Sequence, residues 1–233
     1  MDYPQTKVIP KSQSKWRLSI NGGYGLVGKS IISATNEKEA FARGATEDPV
    51  DVFSSNISLS YDLSRNFSIS SGLSYQKVYE KFSWSGTYYE DFNGDSFNNV
   101  ENITSIVYEK VERQALTYNQ YNYLDIPLYI SFRPQLNNKL RTALFAGLSA
   151  NVFNTNKGTV LNQLAIPIEL STASNDIQIG LRYALGVSLE LPISEYFGLQ
   201  LNGLYSIRNN TQRDLTLRYD YLEINLGLSY RFH

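Results

Sequence analysis

Cysteine is absent from the 233 residues, so neither a disulfide nor a thiolate metal site can form, and redox chemistry gives no compartment. Methionine and histidine occur once each, as Met1 and His233. With the lone imidazole at the last position and no thiol, catalysis that depends on His or Cys has no seat. Asp125 and Glu223 are the one acidic pair that alternation brings together, but they face an enclosed wall without substrate access, and no nucleophile has a base beside it. The expectation is that the chain is not an enzyme and carries no cofactor. Charge of one sign is not in excess: 21 basic and 22 acidic residues leave a net charge of −1, which gives no electrostatic case for DNA or RNA.

Long hydrophobic runs are missing as well. No stretch of 18 apolar residues occurs and the mean hydropathy is −0.30, which excludes a transmembrane helix. A strand alternating between lipid and a polar interior would escape that test, because half its residues are polar. Residues 1–15, "MDYPQTKVIPKSQSK", lack the apolar stretch of a signal peptide and read as a basic, Pro-interrupted linker. Export would then require a targeting segment that this chain does not carry.

Alternation and aromatic residues are present in abundance: 42% of residues are hydrophobic, with 18 tyrosines and 11 phenylalanines. In "DIQIGLRYALGVSLELP", Asp176 to Pro192, every odd position from Ile177 to Leu191 is apolar while the even row holds Gln178, Arg182 and Glu190. Seven other segments repeat this period of two, starting at Trp16 and ending at Phe232. Connections after the second, fourth and sixth segments are short (residues 64–66, 134–138 and 193–195); those after the first, third and fifth are long (29–51, 80–113 and 154–175). The expected fold is all-β: an eight-stranded antiparallel up-and-down transmembrane β-barrel over residues 16–233, with long loops at one end and residues 1–15 as a periplasmic linker.

The alternative is a soluble lipocalin-like barrel whose apolar row points inward to an apolar ligand. Three features favour the inverted, lipid-facing orientation. Aromatics of the apolar row gather at the tight-turn end (Trp16, Phe67, Phe132, Phe197, Tyr230 and Phe232), where an interfacial girdle lies, and Tyr24, Tyr75, Tyr118 and Tyr205 suit a second girdle. The polar row is rich in Gly, Ser, Asn and Gln, with few of the charges a wetted surface carries. Apolar rows of about nine to eleven residues, tilted, match a bilayer.

Eight strands enclose only room for side chains, which disfavours an open pore and leaves a narrow channel as a further alternative. The inward row yields a polar lumen network: Arg17, Arg133, Arg141, Glu190 and Arg231 near the tight turns, and Asp125, Arg182 and Glu223 nearer the middle, beside Gln200 and Asn202. Arg182 is expected to bridge Asp125, Glu223 or both, because charge at membrane depth must be paired. A network fixing the barrel is the preferred reading over an ion relay.

In the loops, "ATNEKEAFARG" suits a short helix capped by Asn36, with Glu37 and Glu39 in its first turn and Gly44 just past its end. Asp91, Asn93 and Asp95 are spaced like a calcium loop, but Ser96 stands where the turn glycine belongs and Glu101 falls one position short, so no metal is expected. Residues 96–113 fit either strand or helix, with β-branched and aromatic content favouring strand. Trp84, Tyr88, Tyr89 and Phe92 at this tip are candidate partner-binding residues.

"YLDIPLYISF", Tyr123 to Phe132, resembles the "YLEIP" strand of the Bacteroidetes-type outer-membrane β-barrel family, which includes PorT-like proteins. "FAGLSANVF" and the terminal "INLGLSYRF" are similar to that family's fifth and last strands. The resemblance covers Trp16 to Phe232. It implies the outer membrane of a Gram-negative bacterium, with outer-membrane lipid as the surround. For PorT-like members it implies an association with protein secretion. Read together, the expected role is a closed structural or interaction component, in envelope assembly or secretion, whose protein partner would meet the extracellular loops or the periplasmic end.

Overall fold

The computed structural model describes residues 15–34, 37–90, 96–97, 109–134, 140–161, 167–170, 177–212 and 215–232. Eight long strands make the barrel: β1 (Trp16–Ala34), β2 (Glu47–Asp62), β3 (Phe67–Glu90), β4 (Glu109–Phe132), β5 (Arg141–Lys157), β6 (Ile177–Pro192), β7 (Phe197–Gln212) and β8 (Leu215–Arg231). Each pairs antiparallel with its chain neighbour, and β1 pairs with β8 from Arg17↔Arg231 to Ala34↔Leu215, so the sheet closes without an edge. No helix among the described residues is long and apolar enough to cross a membrane.

Two tight turns share one chemistry. In "LSRNF" and "ISEYF" the hydroxyls of Ser64 and Ser194 accept the N–H groups of Phe67 and Phe197 at 3.1 and 3.0 Å. The backbone N–H of Leu63 and of Ile193 closes each turn onto the following Phe carbonyl at 2.9 Å. Serine supplies the local acceptor that a four-residue reversal needs. Pro127 of β4, which cannot donate to the ladder, faces inward, and its carbonyl accepts the Ser71 hydroxyl of β3 at 2.7 Å.

The apolar rows point outward. Leu181 and Leu199 are each 43% exposed, Ile224 64% and Leu226 60%. The inward rows hold buried Arg17, Asn21, Asp125, Arg182, Glu190 and Glu223. At the level of this band the inward rows are polar, and the outer wall has the band of apolar side chains that acyl chains solvate.

Towards the long loops the pattern changes phase. On β8, Leu222, Ile224, Leu226 and Leu228 face out, whereas Leu215, Leu217, Tyr219 and Tyr221 are buried inside. The switch falls between Tyr221 and Leu222 with no bulge in the register. Similar doublets stand at Leu26-Val27 on β1, Val52-Phe53 on β2 and Tyr123-Leu124 on β4. The inner members align across the barrel, as Val27↔Tyr221 and Val52↔Val78↔Tyr121. Above these doublets polar residues enter the outward rows, at Asp51, Lys77, Asn122 and Asp220, among exposed apolar ones such as Ile32, Leu116 and Tyr118. The strands thus leave the apolar band and continue as an ordinary water-facing barrel with an apolar core.

That continuation corrects the expected loop lengths. β1 runs to Ala34 and β2 begins at Glu47, both inside the connection expected at 29–51. The loop helix is present as α1 (Glu37–Thr46), extending through Gly44 rather than stopping before it. Residues 96–97 and 109–113 are strand, the former paired with Tyr89–Glu90. A short hairpin pairs Thr159–Leu161 with Pro167–Glu169. Asn36, Phe92 and the calcium-like set Asp91, Asn93, Asp95 and Glu101 lie outside the described residues.

Candidate functional site

The barrel interior is built in three charged layers. At the tight-turn end, alternation on five strands turns Arg17, Asp62, Arg141, Glu190 and Arg231 inward, and Arg133 follows directly on β4. Glu190 is the hub: Arg17 Nη1 and Arg141 Nη1 each donate to it at 2.8 Å, and Arg231 Nη2 lies 3.5 Å away. Asp62 receives Arg133 Nη1 at 2.5 Å, with Arg17 Nη2 at 3.9 Å. Gln200 sits with this layer, 3.5 Å from Glu190, and not beside the middle one.

Above it lies a cavity of about 120 Å³ lined by seryl and asparaginyl side chains, Arg17, Arg133, Arg182 and Glu223. Pro127, Tyr129, Ala143, Phe145 and Leu204 also line its wall. The ion pair expected of Arg182 is made by Arg208 instead. Arg208 Nη2 donates to Asp125 Oδ2, both side chains are fully buried, and the guanidinium lies 4.4 Å from the Tyr123 ring centroid. Asn151 Nδ2 donates to the other Asp125 oxygen at 2.9 Å. Arg182, the register partner of Arg208, reaches the Tyr129 hydroxyl at 3.3 Å and has no ion pair within 4.0 Å among the described residues. Glu223 accepts from Gln76 Nε2 at 2.9 Å. Arg208 shares its inward parity with Gln200 and Asn202, a signal that the sequence contains.

The third layer closes the loop end and had no counterpart in the expected network. Val27, Val52, Val78, Tyr121, Tyr219 and Tyr221 from the strands pack with Ala40 of α1 and Val160 and Leu170 of the hairpin segment. Within this cap Lys29 Nζ donates to Glu47 and to Glu80 at 2.7 Å each. Arg43 of α1 reaches Glu47 at 2.8 Å, and the Tyr121 hydroxyl donates to Glu80 at 3.0 Å. Glu47 stands above the apolar band. Burial opposes its ionisation, but Arg43 and Lys29 outweigh that and hold its carboxyl below the ordinary range. Burial likewise works against the Arg43 cation, and Glu47 more than offsets it, leaving its pKa raised.

On the outer wall the tight-turn aromatics form contacts along the rim: Phe67 with Phe132 at 5.3 Å, Phe197 with Tyr230 at 5.2 Å, Tyr230 with Phe232 at 5.2 Å, and Trp16 with Tyr61 at 4.8 Å between centroids. At the other edge Tyr205 donates to Asp220 at 2.6 Å. Trp84 is half-buried on β3, and Tyr88 and Tyr89 lie further along the same strand. Their side chains are outside the described set.

No family model matches the chain, and no curated protein matches it. Among solved structures, the outer membrane protein OprG of Pseudomonas aeruginosa is similar at TM-score 0.50 and 10% identity, covering 95% of this chain and 98% of that one. Neisserial surface protein A aligns at TM-score 0.49 and 11% identity over 95% and 100%. The Escherichia coli outer membrane protease OmpT aligns at 0.45 and 10% over 93% and 97%. The likeness to OprG is one of fold: a closed β-barrel of the outer-membrane kind.

Proposed function

We propose that this chain crosses the outer membrane of a Gram-negative bacterium and serves there as a closed structural or interaction component, without enzymatic activity. The observation that carries the reading is the pairing of a continuous apolar band outside with an interior sealed by ion-paired side chains at one end and a packed cap at the other. Such a molecule conducts nothing sizeable; its exposed surfaces are the cap, the tight-turn mouth and the lipid-facing wall. The aromatic rims at Trp16, Phe67, Phe132, Phe197, Tyr230 and Phe232 hold its depth in lipid. Trp84, on β3 towards the loop end, with Tyr88, Tyr89 and Phe92 following it in sequence, is the aromatic set we assign to a protein partner. The "YLDIPLYISF" likeness to PorT-like proteins supports a place in protein secretion or envelope assembly.

The test is membrane fractionation together with gel mobility of the refolded protein before and after boiling, followed by planar-bilayer recording. Partition with detergent, a mobility shift on boiling and no discrete conductance support the reading. Extraction in aqueous buffer as a monodisperse monomer would overturn it, and steady single-channel steps would replace it with a narrow channel.

A further inference from the structure

The charge balance of the three interior layers is unequal. The middle layer sets Arg182 and Arg208 against Asp125 and Glu223, and the cap sets Lys29 and Arg43 against Glu47 and Glu80: two cations to two anions in each. Among the described residues, the tight-turn layer sets Arg17, Arg133, Arg141 and Arg231 against Glu190 and Asp62. Lys15 and Arg65 beside it add charge of the same sign, and of the described acidic residues Glu195 opposes them.

A layer needed only to fill the lumen would gain from neutrality, since like charges side by side repel. Here Arg141 and Arg231 share one oxygen of Glu190, and the Arg141 side chain remains 38% exposed at the mouth. A guanidinium carries five N–H donors, and Arg141 spends one on Glu190. Arg141 is the most exposed of the four arginine side chains in this layer.

We propose that this mouth binds an extended acidic peptide segment of a periplasmic protein, its carboxylates seated on Arg141 and Arg231. The inference rests on the outer-membrane reading and names its partner at the tight-turn end. A guanidinium matches a carboxylate through two parallel hydrogen bonds, so two of them suit successive acidic side chains. The arginines project inside the ring of strands, behind the outward aromatic rim, so lipid headgroups packed around the wall do not reach them. The chain's own residues 1–14 do not fit as occupant, because Lys7 and Lys11 outnumber Asp2.

The experiment uses the full chain refolded into phosphatidylcholine nanodiscs, with insertion checked by mobility shift on boiling and a fluorescein-labelled hexaglutamate peptide as probe, read by anisotropy at low salt. Saturable binding that weakens as salt rises is expected, with a loss of about tenfold in the R141Q/R231Q double variant and none in K77Q/K81Q, whose lysines lie at the opposite end. Equal binding by R141Q/R231Q, equal loss in K77Q/K81Q, or no binding by an inserted barrel would overturn the proposal while leaving the membrane reading intact. A chain that fails to insert overturns the membrane reading itself. If R141Q/R231Q instead loses affinity for vesicles containing phosphatidylglycerol and keeps that for hexaglutamate, the mouth reads lipid and the peptide proposal falls.

Discussion

Arg208 and Arg182 face each other as register partners on β7 and β6, yet only Arg208 reaches a carboxylate, that of Asp125 three strands away across β5 and β6. The two guanidiniums should therefore differ in what their removal costs. Breaking a buried pair leaves a bare charge, so Asp125→Ala or Arg208→Met is expected to destabilise the barrel by about 3–5 kcal/mol. Arg182→Met should cost much less, and the double variant Asp125→Leu/Arg208→Met should recover most of the single losses. Urea unfolding in lipid vesicles measures all four, and equal costs for Arg182→Met and Arg208→Met would contradict the pairing.

Depth in the membrane makes a second prediction. Leu226 lies mid-band on β8 and Ser83 faces outward on β3 well above Lys77, where polar residues enter the wall. An arginine at Leu226 is expected to cost about 2–4 kcal/mol and one at Ser83 about 0–1 kcal/mol. Equal costs would mean that the apolar band does not face lipid.

The lower two-thirds of this architecture was legible because a strand with lipid on one side and a polar interior on the other keeps a strict period of two: from Leu222 to Leu228 every outward residue is aliphatic, and the aromatic rims and the polar inner row give its direction. The upper third was not. Where Tyr221 gives way to Leu222 the apolar phase slips by one residue, and a period-two reading takes this for the end of a strand. The slip is itself a signal, repeated at Leu26-Val27 and Val52-Phe53. Inward direction was legible for Asp125, Arg182 and Glu223, since parity fixes it. Partner choice across the lumen was not, because it depends on barrel tilt and on the bulge between Arg208 and Asn210, which alternation does not encode. Arg43 was illegible for a similar reason: its burial is decided by Glu47 and by the mouth it enters.

Glycine placement supports a third prediction. Tyr129 and Gly147 are opposed across β4 and β5, and a Cβ on Gly147 would lie 2.6 Å from Tyr129 Cδ1 and 2.0 Å from the Leu128 carbonyl oxygen. Gly147→Ala should therefore cost about 1–3 kcal/mol through overpacking. At Gly203 the nearest atom, Val187 Cγ2, is 3.6 Å from the added carbon, so Gly203→Ala should be close to neutral in the same unfolding assay. A neutral Gly147→Ala would contradict the close approach of the β4 backbone to Gly147.

The cap should loosen in acid. Glu47 is held ionised by Arg43 and Lys29, so its pKa in the folded protein is below its unfolded value. Its contribution is complete above the ordinary glutamate range, about pH 4.3, and is lost as pH falls from there through the depressed folded value. Arg43 stays charged throughout, so protonating Glu47 removes the ion pair that this buried cation of α1 makes with it. Amide exchange over α1, corrected for the intrinsic slowing in acid, should accordingly reveal more frequent opening below about pH 4 than at pH 7, while the amides of the membrane band keep their protection. Glu47→Gln should open the cap at neutral pH and flatten that pH dependence. If the wild type and Glu47→Gln keep the same pH profile, another group governs the cap.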